Sequence, residues 1–173
     1  MSEAAAAPAA FGPRGEKARR QMLGGPAARL WMWRTLPLAA FAGLAVERMD
    51  GEACAVRLPG GWRTQNPFRS TYFAAQAMAA EMSTGAPALV LLRDAPASIA
   101  MLVLGLRVTY GKKLVGPGVF TFEDVAGMRA AVLRAAAGDE PQLFVARSVG
   151  RGPDGGVVAE FEITWSFKRR SRA

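Results

Sequence analysis

The 173-residue sequence contains no histidine and a single cysteine, Cys54. Without histidine there is no Ser-His-Asp or Cys-His nucleophile arrangement. With only one thiol besides, an ordinary zinc site is excluded as well. One cysteine forms no disulfide within the chain, which fits a reducing compartment, and Cys54 itself reads as a small buried hydrophobe. Chemistry must come from carboxylates, hydroxyls, amides or backbone dipoles, and neither a cofactor nor a metal is expected.

Long apolar runs are missing too. Residues 36–46 fall well short of the roughly 20 needed to cross a bilayer. Residues 86–106 are long enough but carry Arg93, Asp94 and Pro96 in their midst. The alanine-rich start lacks the charged-then-apolar order of a secretory signal. The expectation is a cytoplasmic protein with no transmembrane segment.

Acid is scarce only at the ends. The formal charge is +8. Residues 1–34 hold Arg14, Lys17, Arg19, Arg20, Arg29 and Arg34 against Glu3 and Glu16, and the tail holds Lys168, Arg169, Arg170 and Arg172 with no acid at all. Residues 35–167 balance twelve basic side chains with twelve acidic ones. A nucleic-acid face spreads its charge over the folded surface, so no nucleic-acid partner is expected and the basic ends read as solvated tails.

Half the residues are apolar, enough for one domain with a core. The division expected is a basic segment without fixed structure at 1–25, a single domain at 26–168 and a basic tail at 169–173. Pro26 opens a Trp-rich stretch of one or two short helices broken before Pro37; Trp31 and Trp33 there suit core packing or a lid. Asp50-Gly51 between strand-like runs suggests a two-residue hairpin turn with positive φ. Residues 70–84 read as a helix capped by Ser70 or Thr71 and ended by Gly85 and Pro87. Residues 98–110 read as a long strand with both faces largely buried. Gly116-Pro117-Gly118 is a turn or bulge, and a second helix follows from Asp124 to Ala137. Around the turn "RGPDGG" the chain forms a hairpin whose second arm alternates strictly from Val157 to Lys168. The fold class expected is α+β, an antiparallel sheet wrapped around a long central helix.

That helix is unusual. Ala74, Ala75, Ala77, Ala79 and Ala80 leave it thin, without a wide polar face. Small side chains suit a helix confined by a sheet, yet this one carries Glu81. The residues alone leave Glu81 three roles: a reactive carboxylate, a buried acid satisfied by an arginine or Gln76, or an exposed side chain. Asn66 before Pro67 is a natural turn-former. Lys112 and Lys113, after the long strand, suit either solvent or a ligand phosphate.

The stretch "QNPFRSTYFAAQAMAAE" resembles the signature of hotdog-fold proteins of the phenylacetyl-CoA-thioesterase type and, more closely, a related hotdog group of unknown function. Asn66 is followed six residues on by Tyr72 and fifteen on by Glu81, and that group's Asn, Ser, Tyr and Glu fall on Asn66, Ser70, Tyr72 and Glu81. The resemblance spans roughly residues 28–168. It implies an acyl-CoA or acyl-carrier thioesterase in which Glu81 is base or nucleophile, Asn66 orients the thioester, and the Phe73 or Ala74 N–H receives the oxyanion. It also implies a homodimer, since Tyr72 and Glu81 lie on opposite helix faces, with a dimer of dimers as a further step. Ser70, Tyr72, Lys112 and Lys113 complete the expected substrate contacts. One departure stands out: the enzymes' His-Gly-Gly is Tyr72-Phe73-Ala74 here, with side chains where backbone should approach the thioester. The alternatives are a non-catalytic hotdog protein that binds an acyl or other hydrophobic ligand and a dehydratase, whose usual machinery the missing histidine disfavours.

Overall fold

The structure, a computed structural model, describes residues 11–171. In chain order its elements are α1 (Pro13–Met22), α2 (Gly25–Thr35), α3 (Pro37–Ala42), β1 (Ala45–Met49), β2 (Cys54–Leu58), α4 (Phe73–Asp94), β3 (Ile99–Tyr110), β4 (Gly118–Phe122), α5 (Val125–Ala137), β5 (Gln142–Arg151) and β6 (Val157–Arg169). The six strands make one sheet in the order β1-β2-β4-β5-β6-β3, antiparallel at every junction. The sheet curls around α4, which packs against β2, β4, β5 and β6 and is flanked by α1 and α5.

The period-two pattern of the last strand delivers the core. Ala159, Phe161, Ile163, Trp165 and Phe167 are all buried on the inner face. Phe120 and Phe122 join them from β4, and each such side chain contributes about 2–3 kcal/mol on leaving water. Opposite them α4 presents Ala79, Ala80, Ala88 and Val90, fully buried. The alanines let the helix axis approach the sheet. Two polar links fix its rotation: Ser83 Oγ and Ser148 Oγ are 2.8 Å apart, and Trp165 Nε1 donates to Thr84 Oγ1 at 3.0 Å.

Four expectations are corrected. The central helix does not end at Gly85 and Pro87; it runs on to Asp94 with Pro87 inside it. A mid-helix proline costs about 3 kcal/mol, and here the loss is offset by burial of Ser83 through Ala88 between sheet and helices. The Asp50-Gly51 hairpin exists, but Met49 pairs with Cys54, so its loop is four residues long and Gly51 has no positive φ. Instead Asp50 Oδ1 accepts from the N–H groups of Glu52 and Ala53.

The third correction concerns β3. It is an edge strand, and Leu102, Leu104 and Leu106 are more than half exposed. Among the described residues no strand pairs with that edge. The fourth concerns the ends. Of the segment expected to lack structure, residues 1–10 lie outside the described residues, whereas Pro13–Met22 is helical and packs on α4 through Gly15, Ala18 and Met22. The Gly12 and Gly15 N–H groups donate to the Asp94 carboxylate at 2.7 and 2.8 Å. A Cβ on Gly15 would stand 2.0 Å from Asp94 Oδ2, so only glycine permits this contact. At the other end Arg169 belongs to β6 and pairs with Asp139, and the Arg170 N–H donates to the Ser98 carbonyl. Residues 172–173 lie outside the described residues. No helix among the described residues is long and apolar enough to cross a membrane.

Candidate active site

Glu81 stands in the third turn of α4 and opens onto a cavity of about 330 Å³. Met22, Trp31, Gly85, Met101 and Trp165 are among its walls, and among the described residues Glu81 is the only charged one lining it. The size is within the range of small-molecule sites. Gly85, one turn after Glu81, makes the space: a Cβ there would come within 2.9 Å of Glu81 Oε1.

No hydrogen bond or ion pair engages the Glu81 carboxylate among the described residues. Glu81 is exposed on one side, while protein atoms crowd its carboxylate elsewhere. That crowding strips hydration from the charged form and pushes the carboxyl above the usual carboxylate range. The side chain is neither locked in an ion pair nor free in bulk water. Such a carboxyl holds a proton more readily than an ordinary one, which suits general-base work.

The other residues singled out from the sequence gather at the start of α4. Asn66 Oδ1 accepts from the N–H groups of Phe68 (3.0 Å) and Ser70 (3.2 Å) and from Ser70 Oγ (3.2 Å), which makes Asn66 the organiser of a tight loop. Within that loop Arg69 sits at φ 56, a left-handed conformation uncommon outside glycine. Ser70 is buried by the same bonds. Tyr72 is the residue preceding the helix, and no side chain caps the helix start. The N–H groups of Phe73 and Ala74 meet no acceptor among the described residues, whereas that of Ala75 donates to the Tyr72 carbonyl. The rings of Tyr72 and Phe73, both about half exposed, meet edge-on with centroids 4.7 Å apart. Lys113 Nζ lies 5.9 Å from the Phe68 ring centroid, and Lys112 pairs with Asp154 across the turn.

The two groups are separate within one chain. Glu81 is eight residues past Phe73, about 12 Å along the helix axis, and none of Asn66, Ser70, Tyr72, Phe73, Ala74, Lys112 or Lys113 lines the cavity at Glu81. Sequence reasoning overlooked Gly85, whose one-turn spacing from a lone acid was its signal, and Met22, which belongs to a helix it did not anticipate. Trp31 lines the cavity; Trp33 points outward, half exposed.

A single helix gripped by a six-stranded antiparallel sheet, with a carboxylate on that helix facing an apolar cavity, defines a hotdog fold. The chain belongs to the family described as "Domain of unknown function (DUF4442)", which matches residues 27–167. No curated protein matches the sequence. Among solved structures, a protein of unknown function from Chlorobaculum tepidum superposes with a TM-score of 0.73 at 11% identity, covering 91% of this chain and 97% of that one. A probable thioesterase from Pseudomonas aeruginosa gives 0.69 at 19% identity, covering 86% and 99%. A thioesterase from Haemophilus influenzae gives 0.60 at 12%, covering 81% and 88%. These likenesses bear on the fold.

Proposed function

We propose that the protein hydrolyses an acyl thioester, carried by CoA or a carrier protein, at a site shared by two copies of the chain. The observation that carries this reading is Glu81, an unpaired carboxyl on the wall of an apolar cavity with its proton affinity raised by desolvation. Glu81 takes a proton from water as the oxygen adds to the thioester carbonyl; attack by the carboxylate itself is the variant mechanism. The carbonyl oxygen gains negative charge, which the N–H groups of Phe73 and Ala74 in the second copy receive at a positive helix start. The C–S bond then breaks, the thiolate leaves and is protonated, and the acid is released. Asn66 holds the loop before that helix start in shape. Lys113, whose Nζ lies 5.9 Å from the Phe68 ring in that loop, and its neighbour Lys112 are the cations offered to carrier phosphates.

Pairing is supported by the bare edge of β3 and its exposed leucines, because an uncovered apolar edge strand invites a second strand. Two helices side by side bring together what 12 Å separates in one chain.

Thiol release over a panel of acyl-CoAs tests the reading. Turnover is expected for at least one acyl group, falling about 10²- to 10⁴-fold in Glu81→Gln and Glu81→Ala. Hydrolysis unchanged in both variants removes Glu81 from the mechanism. A second reading is favoured by Phe73, whose exposed ring stands at the helix start where the enzymes have glycine: a protein that binds an acyl ligand without cleaving it. Saturable binding with no thiol release would select it.

A further inference from the structure

The cavity at Glu81 does not end in a closed wall. A second hollow of about 370 Å³ meets it at Met22, Trp31 and Leu89, which line both. The second hollow has a different character: Arg14, Lys17 and Arg93 line it, and no acidic residue among the described ones does.

The sequence builds this gradient along one helix row. Glu81, Gly85, Leu89 and Arg93 are successive i, i+4 positions on α4, so they follow one another along its surface. The row starts at a carboxylate, crosses the gap left by glycine, passes an apolar leucine and ends on a guanidinium. Facing its far end, α1 contributes Arg14, Lys17 and Gln21 at i, i+3 and i+7 spacing, beside the buried face Gly15, Ala18 and Met22 that docks on α4.

The three cations are exposed and have no ion-pair partner among the described residues. The acids nearest in the chain are already engaged. Glu16 holds Arg19 and Arg20, and Asp94 accepts the N–H groups of Gly12 and Gly15. Three like charges around one hollow repel one another, and an anion placed among them relieves that repulsion.

We propose that the two hollows together take a single-chain anionic amphiphile, its apolar chain in the cavity beside Leu89, Met22 and Trp31 and its carboxylate or phosphate head among Arg14, Lys17 and Arg93. The slot is polar at both ends but cationic at only one, so it fixes orientation: an acidic head finds no positive charge beside Glu81 and is drawn to the cations. Four methionines, Met22, Met32, Met82 and Met101, line the apolar part and adapt readily to a flexible chain. The binding stands whether or not Glu81 hydrolyses a thioester.

Titration calorimetry of the full chain with dodecanoate, dodecyl phosphate and 1-dodecanol tests this. Wild-type protein should bind one or both anions at least tenfold more tightly than the alcohol, with an affinity that falls as salt rises; the tighter anion names the head group. The combined variant Arg14→Ala, Lys17→Ala, Arg93→Ala should lose that tenfold preference while still binding the alcohol. Leu89→Trp, which fills the junction, should weaken the anions and the alcohol alike, and thermal melts verify that each variant is folded. Equal affinity for dodecanol and both anions in wild type, or an unaltered anion preference in the triple variant, overturns the proposal. Neither result bears on thiol release, so the two readings fail separately.

Discussion

Gly85 lies one helical turn beyond Glu81, and a Cβ placed on it would stand 2.9 Å from Glu81 Oε1 and 3.4 Å from the Trp165 ring. The carboxylate therefore occupies space that any other residue would claim. Because the carboxylate is the far end of a flexible side chain, it yields more easily than the backbone does. Gly85→Ala should leave the melting temperature nearly unchanged or slightly raised, as alanine favours helix by about 1 kcal/mol. Thiol release should nevertheless fall about 100-fold, the scale of a 1 Å misplacement. A variant as active as wild type would show that the carboxylate position is not demanding.

The raised proton affinity of Glu81 has a definite sign in stability. A carboxyl whose folded pKa exceeds its unfolded value stabilises the fold fully below the unfolded value, near 4.5, and loses that contribution as pH rises through the folded value. Glu81→Gln carries no such loss. Its melting temperature, relative to wild type, should climb between pH 4.5 and neutrality. Melts over that range check it; a difference that does not change with pH contradicts the desolvation of Glu81.

Asp94 fastens α1 to α4 through two backbone N–H groups. Asp94→Ala leaves both donors without their carboxylate and should cost about 2 kcal/mol. Hydrogen exchange should accelerate in residues 13–22 first, with the amides of β5 and β6 still protected. Uniform acceleration would mean that α1 is not a separately detachable unit.

The bulge in β3 falls between Val103 and Gly105, and Leu104 within it is 56% exposed. Leu104→Lys places a charge on the bare edge. Sedimentation velocity should show wild type as a pair and the variant as single chains with an unchanged far-ultraviolet spectrum. Thiol release should fall together with pairing. A variant that still pairs moves the contact away from this edge.

How much of this could be read from sequence depended on how local the cause was. Alternation from Ala159 to Phe167 announced β6, since each side chain takes its burial from a period of two. Asp124 capped α5 as its position implied, accepting from the Gly127 N–H. Helix α4 was legible in its alanines but not in its length, because the packing that overrides Pro87 comes from distant strands. Helix α1 was hidden for a related reason: Gly15, Ala18 and Met22 have helical spacing, but two of the three are too small to register as an apolar stripe. The β3 leucines read as buried although the described residues leave them exposed. Glu81 was visible as the lone acid in a small-residue helix. Its cavity was not, since the walls come from α1, α2, β1, β3 and β6 as well as α4.

Cys54 is fully buried in β2, and desolvation pushes its thiol up to about 12. At neutral pH the folded chain thus displays no thiolate to an electrophile. A maleimide or disulfide dye added during turnover will count only sulfur released from substrate, with no protein background to subtract. The same silence makes a cysteine introduced on β3 or α1 uniquely addressable, so spectroscopic labels can be attached to this chain without first removing the one it has.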